Sequence, residues 1–181
     1  MSSLATALVT FDEFVRLPDP EDGKHYELHD GEVVLVPPAR PAHVAAQGSI
    51  VDLLRGLEQF GFVLHQEYPY RPASNYQFWY ADVAALPADV RAEMFSWDQY
   101  KPYAPPLIVE VLSPSNTAGK IAKQRIACMS NGTREFWVVD VDERTVHVTD
   151  GSGAVRLYRA GESVSVLGLL PMDVSAIFGP V

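Results

Sequence analysis

Leu107-Ile108-Val109-Glu110-Val111-Leu112 is the stretch on which the reading of this chain turns. A short, continuous apolar run of this kind describes a strand buried on both faces in the middle of a sheet. Glu110 interrupts it. A carboxylate inside such a strand is expensive unless it is paired or holds a metal, so its presence asks for a chemical reason.

Upstream, Phe78 to Leu86 reads as another apolar strand and carries Asp82 in the same kind of position. The intervening chain is long enough to bring the two strands side by side. Two carboxylates converging from neighbouring strands make a hard-oxygen site suited to Mg²⁺ or Mn²⁺. Their oxygens are then expected to approach closely enough to share one cation. The alternative is a pair of buried acids satisfied by arginine or by backbone amides.

Further out the punctuation is clear. Thr10 and Glu13 form a capping box for a short helix that Pro18 stops. His25 to His29 and Glu32 to Val36 flank Asp30-Gly31, the preferred dipeptide of a tight hairpin. Val44, Ile50, Val51, Leu54 and Leu57 repeat with helical period from Pro41 to Phe60, with Gly61 as the stop. A strand is expected at Phe62 to Tyr70, and loop with a helical turn from Ala88 to Tyr103. Ser113 to Asn116 lead into a helix ending near Asn131 and Gly132. Strands at Glu135 to Val141 and Thr145 to Thr149 follow, then a hairpin turn at Asp150-Gly151 and a last helical turn between Leu169 and Phe178. The pattern is mixed α/β, and the whole chain, residues 1–181 with a core of about 10–178, is expected to be a single domain.

Composition narrows the function. With 48% hydrophobic and 20% charged residues, the chain forms a compact core and is not a disordered tail or a coiled coil. Fourteen Lys and Arg against 23 Asp and Glu give a net charge of −9, so any phosphate-bearing ligand must be met by a local site. The single Cys128 builds neither an internal disulfide nor a Cys-rich zinc site. No apolar run reaches the length of a membrane span, and a cytoplasmic location is expected. There is no nucleophile elbow, P-loop or dinucleotide fingerprint.

Three further groups draw attention. His25, Glu27 and His29 alternate onto one face of their strand, either as a wet hairpin surface or as a zinc site. His43 opens the amphipathic helix, where it is either capping-region polarity or part of a site at the sheet edge. Lys120, Lys123 and Arg125 lie on the helix after Glu110, where they form a solvated face or steady a phosphate.

The order of these elements resembles the Uma-two family, restriction-endonuclease-like proteins of the PD-(D/E)XK nuclease superfamily. The resemblance rests on Tyr26-Glu27-Leu28 with Asp30-Gly31-Glu32, His43 at the helix start, Asp82-Val83, Val109-Glu110-Val111-Leu112-Ser113-Pro114-Ser115, and Gly132 with Glu135-Phe136-Trp137-Val138-Val139-Asp140. It spans about Thr10 to Phe178. It implies a restriction-endonuclease-like core, a mixed sheet flanked by helices with an N-terminal hairpin, and a metal-dependent endonuclease acting on nucleic acid, DNA foremost, as a homodimer.

Carried over by position, Asp82, Glu110 and the Val111 carbonyl would bind Mg²⁺ or Mn²⁺, with Glu27 joining directly or through water. Ala81 stands where the family has Pro, and Leu112 where the superfamily signature has Lys. The family's displaced Lys aligns with Gln124, leaving Lys123 beside it, or Lys120 one turn earlier, to supply the charge; Lys123 is expected to matter most. The alternative is a catalytically impaired nuclease fold kept for binding or regulation.

Overall fold

The apolar strand around Glu110 is the third of six in the main sheet. The computed structural model describes residues 8–21, 23–73, 75–113 and 117–179. Strands β3 (Phe62–Tyr70), β4 (Trp79–Pro87), β5 (Leu107–Val111), β6 (Glu135–Asp140), β7 (Thr145–Asp150) and β8 (Val155–Arg159) lie in that spatial order. Only β5 and β6 run parallel, joined through helix α4 (Ala118–Met129); the other neighbours are antiparallel. All five residues of β5 are buried, as a strand covered by helices on both faces requires.

The hairpin β1 (His25–His29) and β2 (Glu32–Val36) forms as expected. Asp30 and Gly31 both take positive φ, 51° and 86°, the geometry that matches the twist of a two-residue turn. A bridge between Leu28 and Phe78 attaches the hairpin near the start of β4. Before it lies α1 (Phe11–Phe14), where Thr10 and Glu13 close the capping box. This helix is shorter than its sequence pattern suggests, because Phe11 and Phe14 pack on Phe78 while Val15 and Leu17 stay exposed.

Helix α2 (Pro41–Leu54) starts with proline in its first turn and continues as a 3₁₀ segment, Arg55–Phe60, that Gly61 ends at φ 81°. Ile50, Leu54 and Leu57 press onto Val83, Val109, Val111 and Trp137 on one face of the sheet. Each such side chain, fully buried, contributes roughly 1.5–3 kcal/mol. On the other face, Cys128 of α4 packs with Ala84, Leu86, Ile108 and Phe136. Helix α3 (Ala88–Glu93) and a 3₁₀ turn, Met94–Ser96, occupy the stretch expected to be loop with a helical turn.

The C-terminal reading needs correction. Strands β9 (Ser163–Val166) and β10 (Leu170–Asp173) pair before a 3₁₀ turn at Val174–Ile177, where a helical turn alone was expected. Val164, Val166, Met172 and Val174 bury alternate positions, which is strand periodicity over segments too short to stand out. The lead into α4 at residues 114–116 lies outside the described residues; Thr117 caps the helix by accepting the Lys120 amide. Among the described residues, no helix is long and apolar enough to cross a membrane.

Two neighbouring strands change face at one level. Trp79 and Ala81 belong to the same cluster as Ala84 and Leu86, whereas Val83 and Ala85 face α2, so the alternation of β4 breaks at Asp82. Opposite it on the edge strand β3, Glu67 adopts φ 51° and has no ladder partner between the Gln66–Val83 and Tyr68–Ala81 pairs. A left-handed backbone at a residue with a side chain costs roughly 1–2 kcal/mol. Here the kink turns Glu67 toward α2.

Candidate metal and nucleic-acid cleft

The break at Asp82 opens onto a cleft of about 1060 Å³. Glu27, His43, Gln47, Glu67, Asp82, Glu110, Lys120 and Gln124 line it. Asp82 sits at its centre. One carboxylate oxygen accepts the Val111 amide at 2.6 Å, and the other meets His43 Nε2 at 2.9 Å and the Gln47 side-chain amide at 2.7 Å. Those partners come from β5 and α2, so the carboxylate is held from both sides.

Gln47 is the hub of this arrangement. It is 1% exposed, donates to both Asp82 and Glu67, and accepts from the Gln66 amide at 2.9 Å. The ligand atoms of His43, Glu67 and Asp82 all lie within 4.8 Å of one another, a spacing that suits one cation. Burial raises the Glu67 carboxyl above its ordinary range; the Gln47 hydrogen bond opposes this and the charge of Asp82 adds to it. His43 is also raised, first by its hydrogen bond to Asp82 and, against burial, by the charges of Asp82 and Glu67. Its other ring nitrogen, Nδ1, is buried without a hydrogen-bond partner among the described residues.

Glu110 stands outside that trio. It is held from the α4 side, where Gln124 donates to it at 2.9 Å and to the Tyr70 hydroxyl at 3.0 Å. Complete burial pushes its carboxyl well above the usual range, and the charges of Asp82, Glu27 and Glu67 push it further. Asp82 and Glu110 therefore share one cleft and repel each other, but they are gripped by different helices. Val111 enters through its amide to Asp82.

Glu27 is a saturated carboxylate. His29 Nε2 lies 2.7 Å away, His25 Nε2 lies 3.9 Å away, and the Tyr80 amide donates at 3.1 Å. Burial alone would raise its pKa; the two histidines and that amide outweigh burial and hold it down at about 2. His25, Glu27 and His29 thus share a face as the strand alternation requires, with the histidines turned to the carboxylate.

The two lysines separate. Lys120 lines the cleft, while the Lys123 ammonium lies 3.3 Å from Asp30 at the hairpin turn, on a side chain that is 72% exposed. Lys123, expected to matter most as the neighbour of Gln124, points away from the row that carries Lys120 and Gln124. Residues four apart share a face, so Lys120 follows Gln124 and Lys123 does not.

Glu67 and Gln47 escaped the sequence reading. Gln47 had a signal: it lies four residues after His43, on the helical row that continues to Ile50 and Leu54. Glu67 offered only a polar pair, Gln66-Glu67, interrupting a strand.

A six-stranded mixed sheet flanked by helices, with an N-terminal hairpin and an acidic cleft where its strands change face, defines a protein of the restriction-endonuclease-like nuclease fold. More particularly, the chain belongs to the Uma2 family, described as "putative restriction endonuclease", whose model matches residues 11–176. Among solved structures it is similar to "a putative nuclease belonging to DUF820" from Anabaena variabilis, with a TM-score of 0.78 and 22% identity over 94% of this chain and 97% of that one. That likeness shows the fold. No curated protein matches.

Proposed function

We propose that this domain hydrolyses nucleic-acid phosphodiester bonds, DNA foremost, with a divalent cation, Mg²⁺ or Mn²⁺, as cofactor. The observation that carries the reading is the trio of His43, Glu67 and Asp82, with ligand atoms within 4.8 Å of one another in a cleft that also holds Glu110 and Lys120. Two carboxylates and an imidazole suit a divalent ion, and a cation would offset both the burial that chiefly raises Glu67 and the Asp82 charge that adds to it. Asp82 and Glu67 would hold the ion with His43, and Glu110 or the Val111 carbonyl would extend the set toward substrate.

Such a cation, when bound, supplies Lewis-acid stabilisation of a phosphate and acidifies a water. The chain's own residues do the positioning. Gln47 fixes the two carboxylates to each other, and the Val111 amide stops Asp82 from rotating. Burial raises the Glu110 carboxyl well above its ordinary range, so joining the ion would require it to release its proton. Lys120 meets phosphate charge there, partly offsetting the net charge of −9; pairing of two copies as a homodimer would present two such clefts.

A second reading, a nuclease fold that binds without turnover, draws support from Gln124. At the position aligned with the family's lysine, it spends its amide on Glu110 and Tyr70 and brings no charge. Supercoiled DNA incubated with the protein and Mg²⁺, Mn²⁺ or EDTA separates the two. We expect metal-dependent nicking that Asp82→Asn abolishes, that Lys120→Ala reduces by about 10²-fold, and that Lys123→Ala leaves unchanged. DNA binding with no nicking in either metal would establish the second reading.

A further inference from the structure

A second pocket lies across β3 from the cleft. Its volume is about 670 Å³, within the range of small-molecule sites, and rings of Tyr68, Phe95, Trp97 and Tyr100 line it. Phe95 is 82% exposed, an unusual position for a phenyl ring, and Arg91 Cζ sits 4.5 Å from its centroid. Lys101 Nζ lies 5.0 Å from the Trp97 ring. Two lining residues also carry a buried ring nitrogen with no hydrogen-bond partner among the described residues, His65 Nε2 and Trp97 Nε1. Both atoms are closed off from solvent, so what the pocket presents to a ligand is ring faces and neighbouring cations.

We propose that this pocket takes an unstacked nucleobase of the strand that crosses the cleft, an inference that rests on the nucleic-acid reading above. A base is the ligand whose chemistry matches: flat π faces for the aromatic walls and an attached phosphate for Arg91 and Lys101.

The backbone supplies the link to the cleft. His65 and Tyr68 line the pocket, while Gln66 and Glu67, between them on the same strand, line the cleft. Regular alternation would send His65 and Glu67 to one side. The left-handed φ of Glu67 breaks that rule and sets the two sites back to back across one strand, with successive Cα atoms about 3.8 Å apart. A chain with phosphate in the cleft has its neighbouring base within reach of the aromatic walls.

Trp79 and Trp137 are 3% and 0% exposed, so Trp97 is the tryptophan whose emission a ligand can quench. The test titrates the full chain, in EDTA, with oligothymidylate of about ten nucleotides and with an abasic phosphodiester oligomer of the same length. Quenching by the first and much weaker quenching by the second are expected. Phe95→Ala should weaken binding on the order of ten-fold without changing the melting temperature.

Equal binding of both oligomers, no binding of either, or no effect of Phe95→Ala overturns the proposal. So does Trp97 emission that follows protein concentration and ignores oligonucleotide, which would make the pocket a contact between copies. Base-dependent quenching without nicking would leave the pocket standing and remove hydrolysis; nicking without base-dependent quenching would do the reverse.

Discussion

Replacing Glu110 by Gln tests the electrostatics of the cleft with little change in shape. The amide oxygen of glutamine can still accept the bond that Gln124 makes at 2.9 Å, so packing and that hydrogen bond survive. What changes is the proton. Burial, then the charges of Asp82, Glu27 and Glu67, raise the Glu110 carboxyl well above its ordinary 4.5 in the folded protein.

Above about pH 4.5 the unfolded chain therefore releases a proton that the native state keeps, and native stability falls as pH rises. One proton's difference is worth about 1.4 kcal/mol per pH unit, from that point up to the native pKa. Glu110→Gln carries no such loss. In urea unfolding at about pH 5, 6 and 7 with EDTA present, the variant should gain on the wild type as pH rises toward the native pKa, by at most about 1.4 kcal/mol per pH unit. A gap that stays flat with pH, or a variant less stable throughout, would refute the argument and make Glu110 an ionised acceptor whose charge the cleft already compensates.

The His43 ring should titrate above 6.5, because its bond to Asp82 raises it; its contribution to stability is then present below about 6.5 and lost as pH rises through the native pKa. An NMR titration should show the midpoint falling in Asp82→Asn, and an unmoved midpoint would deny the coupling. Gln47→Leu takes the shared donor from Asp82 and Glu67 and the acceptor from Gln66, which should cost about 1–3 kcal/mol in EDTA. Thermal melts of that variant in Mn²⁺ should recover more stability than the wild type gains, and equal gains would show that the amide does not manage carboxylate repulsion.

The parts of this fold that follow simple periodicity were legible. Leu107–Val111 reads as a buried central strand because only a strand covered on both sides is apolar at every position but one, and Asp30-Gly31 reads as a turn because few dipeptides tolerate two positive φ values. Asp82 and Glu110 stood out because a charge in an apolar run is conspicuous. Gln47 did not, since a glutamine on an amphipathic helix usually faces water and its burial depends on what the sheet brings beneath it. Glu67 was hidden for a different reason. Left-handed backbone is announced by glycine, and here tertiary contacts impose it on a glutamate. Adjacency in sequence hid which lysine shares the face of Gln124, since neighbours along a helix are about 100° apart around its axis.

The kink in β3 also bears on how the molecule avoids its own kind. β3 ends the sheet, and a nine-residue strand in that place would offer a row of free amides and carbonyls to any passing strand. Glu67 bends that row, and Pro69, two residues on, contributes no amide hydrogen. The residue proposed to grip a cation is thus also a guard against edge-to-edge aggregation. Straightening the strand with Glu67→Val and Pro69→Val would be expected to give a protein that folds, loses its metal response and accumulates as β-rich assemblies.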